Sequence, residues 1–194
     1  MPAARVEVCR LGAGDWQAYR AIRLAMLEES PEAFGSTLAE GRRLDEQAWR
    51  RRLEDNVVFL VRLGGEAVGS AMYSDWWATV PGEAFLVGMW LAPAARGSGA
   101  AERLVRAVLA EAAARDRVRV LLDVVDTNTA ARRLYARCGF VPTGVSAPYP
   151  HDSARTEVQM EHRLPAEVRG PAERRRPVAG PPTGAVLDRA SLEP

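Results

Sequence analysis

Six consecutive residues, Arg96-Gly97-Ser98-Gly99-Ala100-Ala101, form the segment of the chain with the most specific chemistry. They follow a nearly unbroken apolar run over residues 84–92 that Pro93 ends. They lead into a helix whose Leu104, Val105, Val108, Leu109 and Ala112 recur at three- to four-residue spacing. The apolar run reads as a strand buried on both faces. A strand that turns through small residues into a helix aims backbone N–H groups, and the positive end of the helix dipole, at one point. Such a turn cradles a phosphate or pyrophosphate; a tight strand–helix turn with no ligand is the alternative. A P-loop needs Gly-Lys-Ser/Thr, and all 26 basic residues of the chain are Arg. That excludes Walker-type nucleotide hydrolysis, Lys-dependent kinase chemistry and pyridoxal Schiff bases. A dinucleotide site needs a third Gly where Glu102 stands.

The elements that must position this turn are legible on both sides of it. Residues 5–11 read as a first strand with Val6 and Val8 on one face. Residues 16–28 read as a helix capped by Asp15, with Trp16, Tyr19, Arg23 and Met26 along one side. Ser30-Pro31 breaks it. A second helix is predicted over roughly residues 38–53, its arginine-rich face solvated. Residues 57–63 and 66–74 are strands joined by the Gly64-Gly65 hairpin signal. A connection with Trp76 and Trp77 leads into the central strand. Two adjacent Trp cannot both face one core, so at least one faces a pocket or partner. After the central helix come a strand at 119–125, a helix at 128–138 ended by Gly139, and a closing pair of strands at 140–147 and 155–163. From Pro165 the chain is rich in Pro, Gly, Arg and Glu and reads as a disordered tail, so the folded domain is expected to span residues 1–164.

Two motifs in register carry a family resemblance. Arg96, Gly99 and Ala101 fit Arg/Gln-x-x-Gly-x-Gly/Ala. Asn128, Ala131, Tyr135, Gly139 and Phe140 resemble an N-x-x-A-x-x-x-Y-x-x-x-G-F helix. Together they resemble the GNAT superfamily, the acyl-CoA-dependent N-acyltransferases. The resemblance implies an α/β fold: a twisted mixed sheet of about seven strands flanked by four helices, with central parallel strands splayed apart to admit pantetheine. It implies acetyl-CoA as cosubstrate. The backbone of Arg96, Gly97, Ser98, Gly99, Ala100 and Ala101 would grip the pyrophosphate. Met89 and Leu91 would pair with pantetheine through their backbones, and the Met89 amide would polarise the thioester carbonyl. Asn128 and Ala131 would lie along the pantetheine arm. Arg132 and Arg133 reach either the ribose phosphate or solvent.

Tyr135 resembles the general acid of the family. A phenol with an ordinary pKa of about 10 is neutral at physiological pH and can protonate the leaving thiolate. Some family members place a Glu on the central strand; Phe85 stands there. Glu83 is about 20 Å from Met89 along a strand rising about 3.3 Å per residue, too far for direct transfer. Asp126, at the end of the neighbouring strand, is the candidate base, with capping of the next helix as its competing role. The resemblance places the acceptor between the first two helices, the central strand and the last hairpin, which nominates Glu29, Phe34, Trp76, Trp77, Tyr149 and His151. The expected activity is acetyl transfer to a primary amine of a small molecule. Alternatives are acetylation of a protein N-terminus or lysine, and a non-catalytic acyl-CoA sensor.

Composition sets the outer bounds. The chain has 194 residues, 47% hydrophobic and 26% charged, with a net charge of +1. That suits one globular domain and gives no electrostatic ground for nucleic acid or an anionic membrane as partner. No run approaches a membrane span, and residues 1–14 lack the apolar core of a signal peptide. Cys9 and Cys138 sit in apolar contexts and are expected as free buried thiols, in keeping with a cytoplasmic location. His151 and His162 have no metal-ligand spacing to them, so no metal is expected. A monomer or a homodimer is compatible with the sequence.

Overall fold

Turn-forming residues fall where the chain reverses, and the apolar runs between them assemble into one sheet. The computed structural model describes residues 5–34, 36–149 and 152–165. In chain order the elements are β1 (Val6–Arg10), α1 (Trp16–Glu29), α2 (Leu38–Arg43), α3 (Glu46–Asp55), β2 (Val57–Leu63), β3 (Glu66–Ser74), β4 (Glu83–Leu91), α4 (Ala100–Ala114), β5 (Arg119–Val125), α5 (Thr129–Arg137), β6 (Val141–Tyr149) and β7 (Asp152–Arg163). The sheet has seven strands in the order β1-β2-β3-β4-β5-β7-β6. Neighbours are antiparallel except the central pair β4–β5, which is parallel.

Strand alternation sends side chains to opposite faces, and both faces are buried in the middle of the sheet. Val57, Phe59, Val61, Leu86, Val120 and Leu122 face α4 and α5 with Leu104, Val105, Val108 and Phe140. Val58, Leu60, Met72 and Trp90 face α1 and α3 with Tyr19, Met26, Trp49 and Leu53. Helices α1 and α3 cover only part of their face. Beyond them, the same face of β5 and β7 carries polar residues, aligned by the pairings Asp123↔Gln159 and Val125↔Glu157.

The predicted second helix is two helices, so the described residues form five α-helices rather than the four expected. Leu44 is extended (φ −68°, ψ 133°), and the Asp45 carboxylate accepts a hydrogen bond from Ala48 N at 2.8 Å, starting α3 afresh. Asp15 precedes α1 as predicted, but its side chain accepts from Gly12 N at 2.9 Å instead of capping the helix. Both cysteines are free, yet Cys9 is exposed, because β1 is an edge strand with one face outward.

Two departures from regular pairing open the centre of the sheet. Strands β4 and β5 pair only at Glu83↔Arg119, Ala84↔Val120 and Phe85↔Leu121, then diverge. Opposite β3, pairing passes from Met72↔Val87 to Ser70↔Trp90, so β4 carries one extra residue there. Gly88 takes that bulge at φ +57°, a conformation costly for any residue with a Cβ. The splay predicted from the family resemblance is therefore present.

Candidate active site

The divergence of β4 from β5 leaves a cleft of about 830 Å³. One end is the turn into α4. Gly97 and Gly99 adopt left-handed φ values of +80° and +82°, and a Cβ on either would meet nothing within 4 Å. The turn is therefore open on that side, with room for a ligand. It is stiffened from within: Ser98 Oγ donates to Ala95 O at 2.6 Å and accepts from Ala100 N at 3.3 Å. Ala100 is fully buried against the core. The leading N–H groups of α4 have no carbonyl available within their helix. The local geometry fits a pyrophosphate.

Arg96 opens the turn. Its Nε donates to Leu91 O at 3.3 Å, and its Nη2 lies 3.1 Å from Glu29 Oε1. Glu29, the last residue of α1, also accepts from Trp90 Nε1 at 2.9 Å and from Ser30 Oγ. The Ser30 and Trp90 hydrogen bonds, with Arg96 beside them, hold the Glu29 carboxyl below the usual carboxylate range. It stays ionised and is a poor proton acceptor.

Met89, Leu91, Arg96, Gly97, Ala101, Asn128, Ala131 and Tyr135 all line the cleft, as do Glu29, Phe34, Trp77 and Tyr149. The structure thus brings both motifs and most of the nominated acceptor residues around one cavity. Ser98 and Gly99 are exposed on the turn and Ala100 is buried beneath it; none of the three is part of the cleft lining. Trp76 points outward, 53% exposed. His151 lies outside the described residues. Asp126 lies behind the end of β5, off the cleft wall; its N donates to Thr156 O at 2.8 Å, and its Oδ1 is buried with no hydrogen-bond partner among the described residues. The cap of α5 is Asn128 itself, whose Oδ1 accepts from Ala131 N at 3.1 Å. Arg132 donates to Asp126 O at 3.2 Å. Glu83 is buried far from the cleft, paired with Arg119.

Tyr135 is buried, and its ring lies 5.9 Å from that of Phe140. Burial pushes its phenol well above the ordinary tyrosine range, so the hydroxyl is protonated and has a proton to donate. Three carboxylates of the wall were missed from the sequence: Glu32 after α1, Asp123 on β5 and Glu157 on β7. The signal for Asp123 is a single acidic residue inside the otherwise apolar stretch after Arg119 in the strand Arg-Val-Leu-Leu-Asp-Val-Val. Glu157 needed the strand register. The Tyr149 hydroxyl donates to the carbonyl of Glu32, tying the β6–β7 hairpin to the segment after α1.

A glycine turn with open space beside it, a splayed parallel pair and a buried phenol facing one cleft are the arrangement that the family resemblance implies. The profile of the Acetyltransferase (GNAT) family matches residues 23–140, more than half of the chain. Mycothiol acetyltransferase of Beutenbergia cavernae is 30% identical over 136 residues, 68% of this chain and 43% of that protein. The chain thus spans less than half the length of this curated relative. Among solved structures, an acetyltransferase of Salmonella typhimurium with its cofactor acetyl-CoA superposes with a TM-score of 0.67, at 19% identity over 87% of this chain and 99% of that one. A ribosomal-protein-alanine N-acetyltransferase of Brucella melitensis gives 0.66, at 20% identity over 81% and 99%. The chain belongs to the GNAT acetyltransferase family. Among the described residues, no helix is long and apolar enough to cross a membrane, and no group of His, Cys, Asp and Glu could hold a metal ion.

Proposed function

We propose that the protein transfers an acetyl group from acetyl-CoA to the primary amine of a small molecule by direct attack. The observation that carries this reading is the cleft wall, which includes the rings of Phe34, Trp77, Phe85 and Tyr149 and the carboxylates of Glu29, Glu32, Asp123 and Glu157, with Arg155 in the same wall. Aromatic walls with carboxylates select a compact cation. The strap from Tyr149 to Glu32 crosses the side where a peptide acceptor would need an open groove, which favours a small acceptor over a protein terminus or lysine.

Bound acetyl-CoA supplies the activated thioester. The backbone from Arg96 to Ala101 holds the pyrophosphate, and Met89, Leu91, Asn128 and Ala131 line the path of the arm. The Met89 amide, beside the Gly88 bulge, polarises the thioester carbonyl. Asp123 takes the proton of the attacking amine, directly or through water, because it faces the cleft while Asp126 does not. Tyr135 protonates the leaving sulfur.

Calorimetry with acetyl-CoA, followed by an amine screen read by thiol release, tests the proposal. Micromolar binding and turnover of at least one small amine are expected. In Asp123→Asn, kcat for that amine should fall about 10²-fold with acetyl-CoA affinity unchanged. Tight acetyl-CoA binding with no turnover across the panel would overturn the reading in favour of an acyl-CoA sensor.

A further inference from the structure

The Glu29–Arg96 contact does not fit a simple cofactor cradle. It places a carboxylate on the one cation that opens the pyrophosphate turn, inside the cleft that must receive a dianion. Glu29 is also the last residue of α1, where the helix dipole disfavours negative charge. Its Oε2 is fixed by Trp90 Nε1 on β4, whereas Oε1 is held by Arg96 alone among the described residues. The arginine side chain is 57% exposed and that of the glutamate 34%. A pair this solvated is worth little, and a pyrophosphate with two charges outcompetes one carboxylate for the guanidinium.

We propose that Glu29 is an exchangeable counter-ion. It neutralises Arg96 in the free protein, and acetyl-CoA displaces it. Arg96 then turns to the pyrophosphate. Glu29 keeps its bond to Trp90 and presents a bare Oε1 to the cleft. If the acceptor is a cationic amine, as proposed above, this oxygen becomes a seat for its positive charge only after acetyl-CoA has bound. Substrate binding is therefore ordered. Glu29 acts as a positioning residue through Arg96, not as the base.

The test turns on a sign. Gln at position 29 keeps an oxygen for Trp90 but loses the charge that competes for Arg96. Glu29→Gln should bind acetyl-CoA and free coenzyme A about two- to five-fold tighter in calorimetry, and Arg96→Met should erase that difference. A structural brace predicts the reverse: Glu29→Gln would weaken both ligands. Weaker or unchanged binding overturns the proposal. The chain has five tryptophans; the Trp90 indole ¹⁵N–¹H signal, assigned with Trp90→Phe, should move as acetyl-CoA is added to the wild type and stay closer to its starting position in Glu29→Gln. An unmoved wild-type signal also overturns the exchange. The best amine from the screen should bind the coenzyme A complex more tightly than the free protein, and equal binding removes the ordered step. If no amine is turned over, the proposed function fails, while the calorimetric sign still decides the exchange.

Discussion

At the level of single side chains, the cleft holds two groups fixed in opposite charge states. Glu29 is held ionised by the bonds from Ser30 and Trp90 and by Arg96; Tyr135 is held neutral by burial. The proposed acid keeps its proton well beyond neutral pH. Tyr135→Phe should lower kcat about 10²-fold while leaving the calorimetric affinity for acetyl-CoA unchanged. The linkage has a definite sign. The folded state holds the Tyr135 proton more tightly than the unfolded chain, so stability is intact below the unfolded pKa of about 10 and falls as pH rises above it. Melting curves collected upward from about pH 9 should show an alkaline loss that is smaller in Tyr135→Phe.

At the level of elements, the turn from β4 into α4 is where backbone conformation and ligand chemistry meet. Gly99 is the residue before α4 and takes a left-handed φ of +82° with open space where a Cβ would go. Gly99→Ala therefore meets no clash in the free protein and should cost about 1–2 kcal/mol of backbone strain, a fall of a few degrees in Tm. The added methyl projects into the cradle, so acetyl-CoA affinity should drop by more than stability alone explains, about tenfold. Proportionate losses of both would show that the turn is a structural device without a ligand.

Across the whole molecule, the splay needs a fixed end. β4, β5 and β7 are tied at that end by Arg119, which pairs with buried Glu83 and with Glu161, while Glu161 also pairs with Arg163. This network locks the three central pairings beyond which β4 and β5 diverge. Arg119→Met strands the Glu83 carboxylate. Fully buried pairs cost about 3–5 kcal/mol when broken; Arg119 is a third exposed, so about 2 kcal/mol is expected. Thermal melting should read this as roughly 4–8 °C, with the double variant Glu83→Gln/Arg119→Met recovering part of it. The tail is a separate matter. The tail beyond residue 165 lies outside the described residues; among those described, β7 ends at Arg163 and Leu164 is the last to pack on the core. A chain cut after Pro165 should keep its Tm within about 2 °C and its acetyl-CoA affinity unchanged.

Motifs and alternation were enough to read most of this from the sequence. Arg96 to Ala101, the Asn128 to Phe140 helix and the two-sided apolar strands determined the fold class and the cofactor end of the site, because short-range spacing sets a turn, a helix face and a strand pleat. The break at Leu44 escaped, since an Asp within a polar helical stretch reads equally as a solvated side chain and as a new cap. The base escaped for a different reason. Asp126 and Asp123 lie on the same strand end, and only the register of β5 with β7, together with the divergence from β4, decides which of them faces the cleft. The Glu29–Arg96 pair joins residues 67 positions apart. No local pattern encodes that contact. It exists because α1 packs on β4 through a core whose shape is set by the chain as a whole.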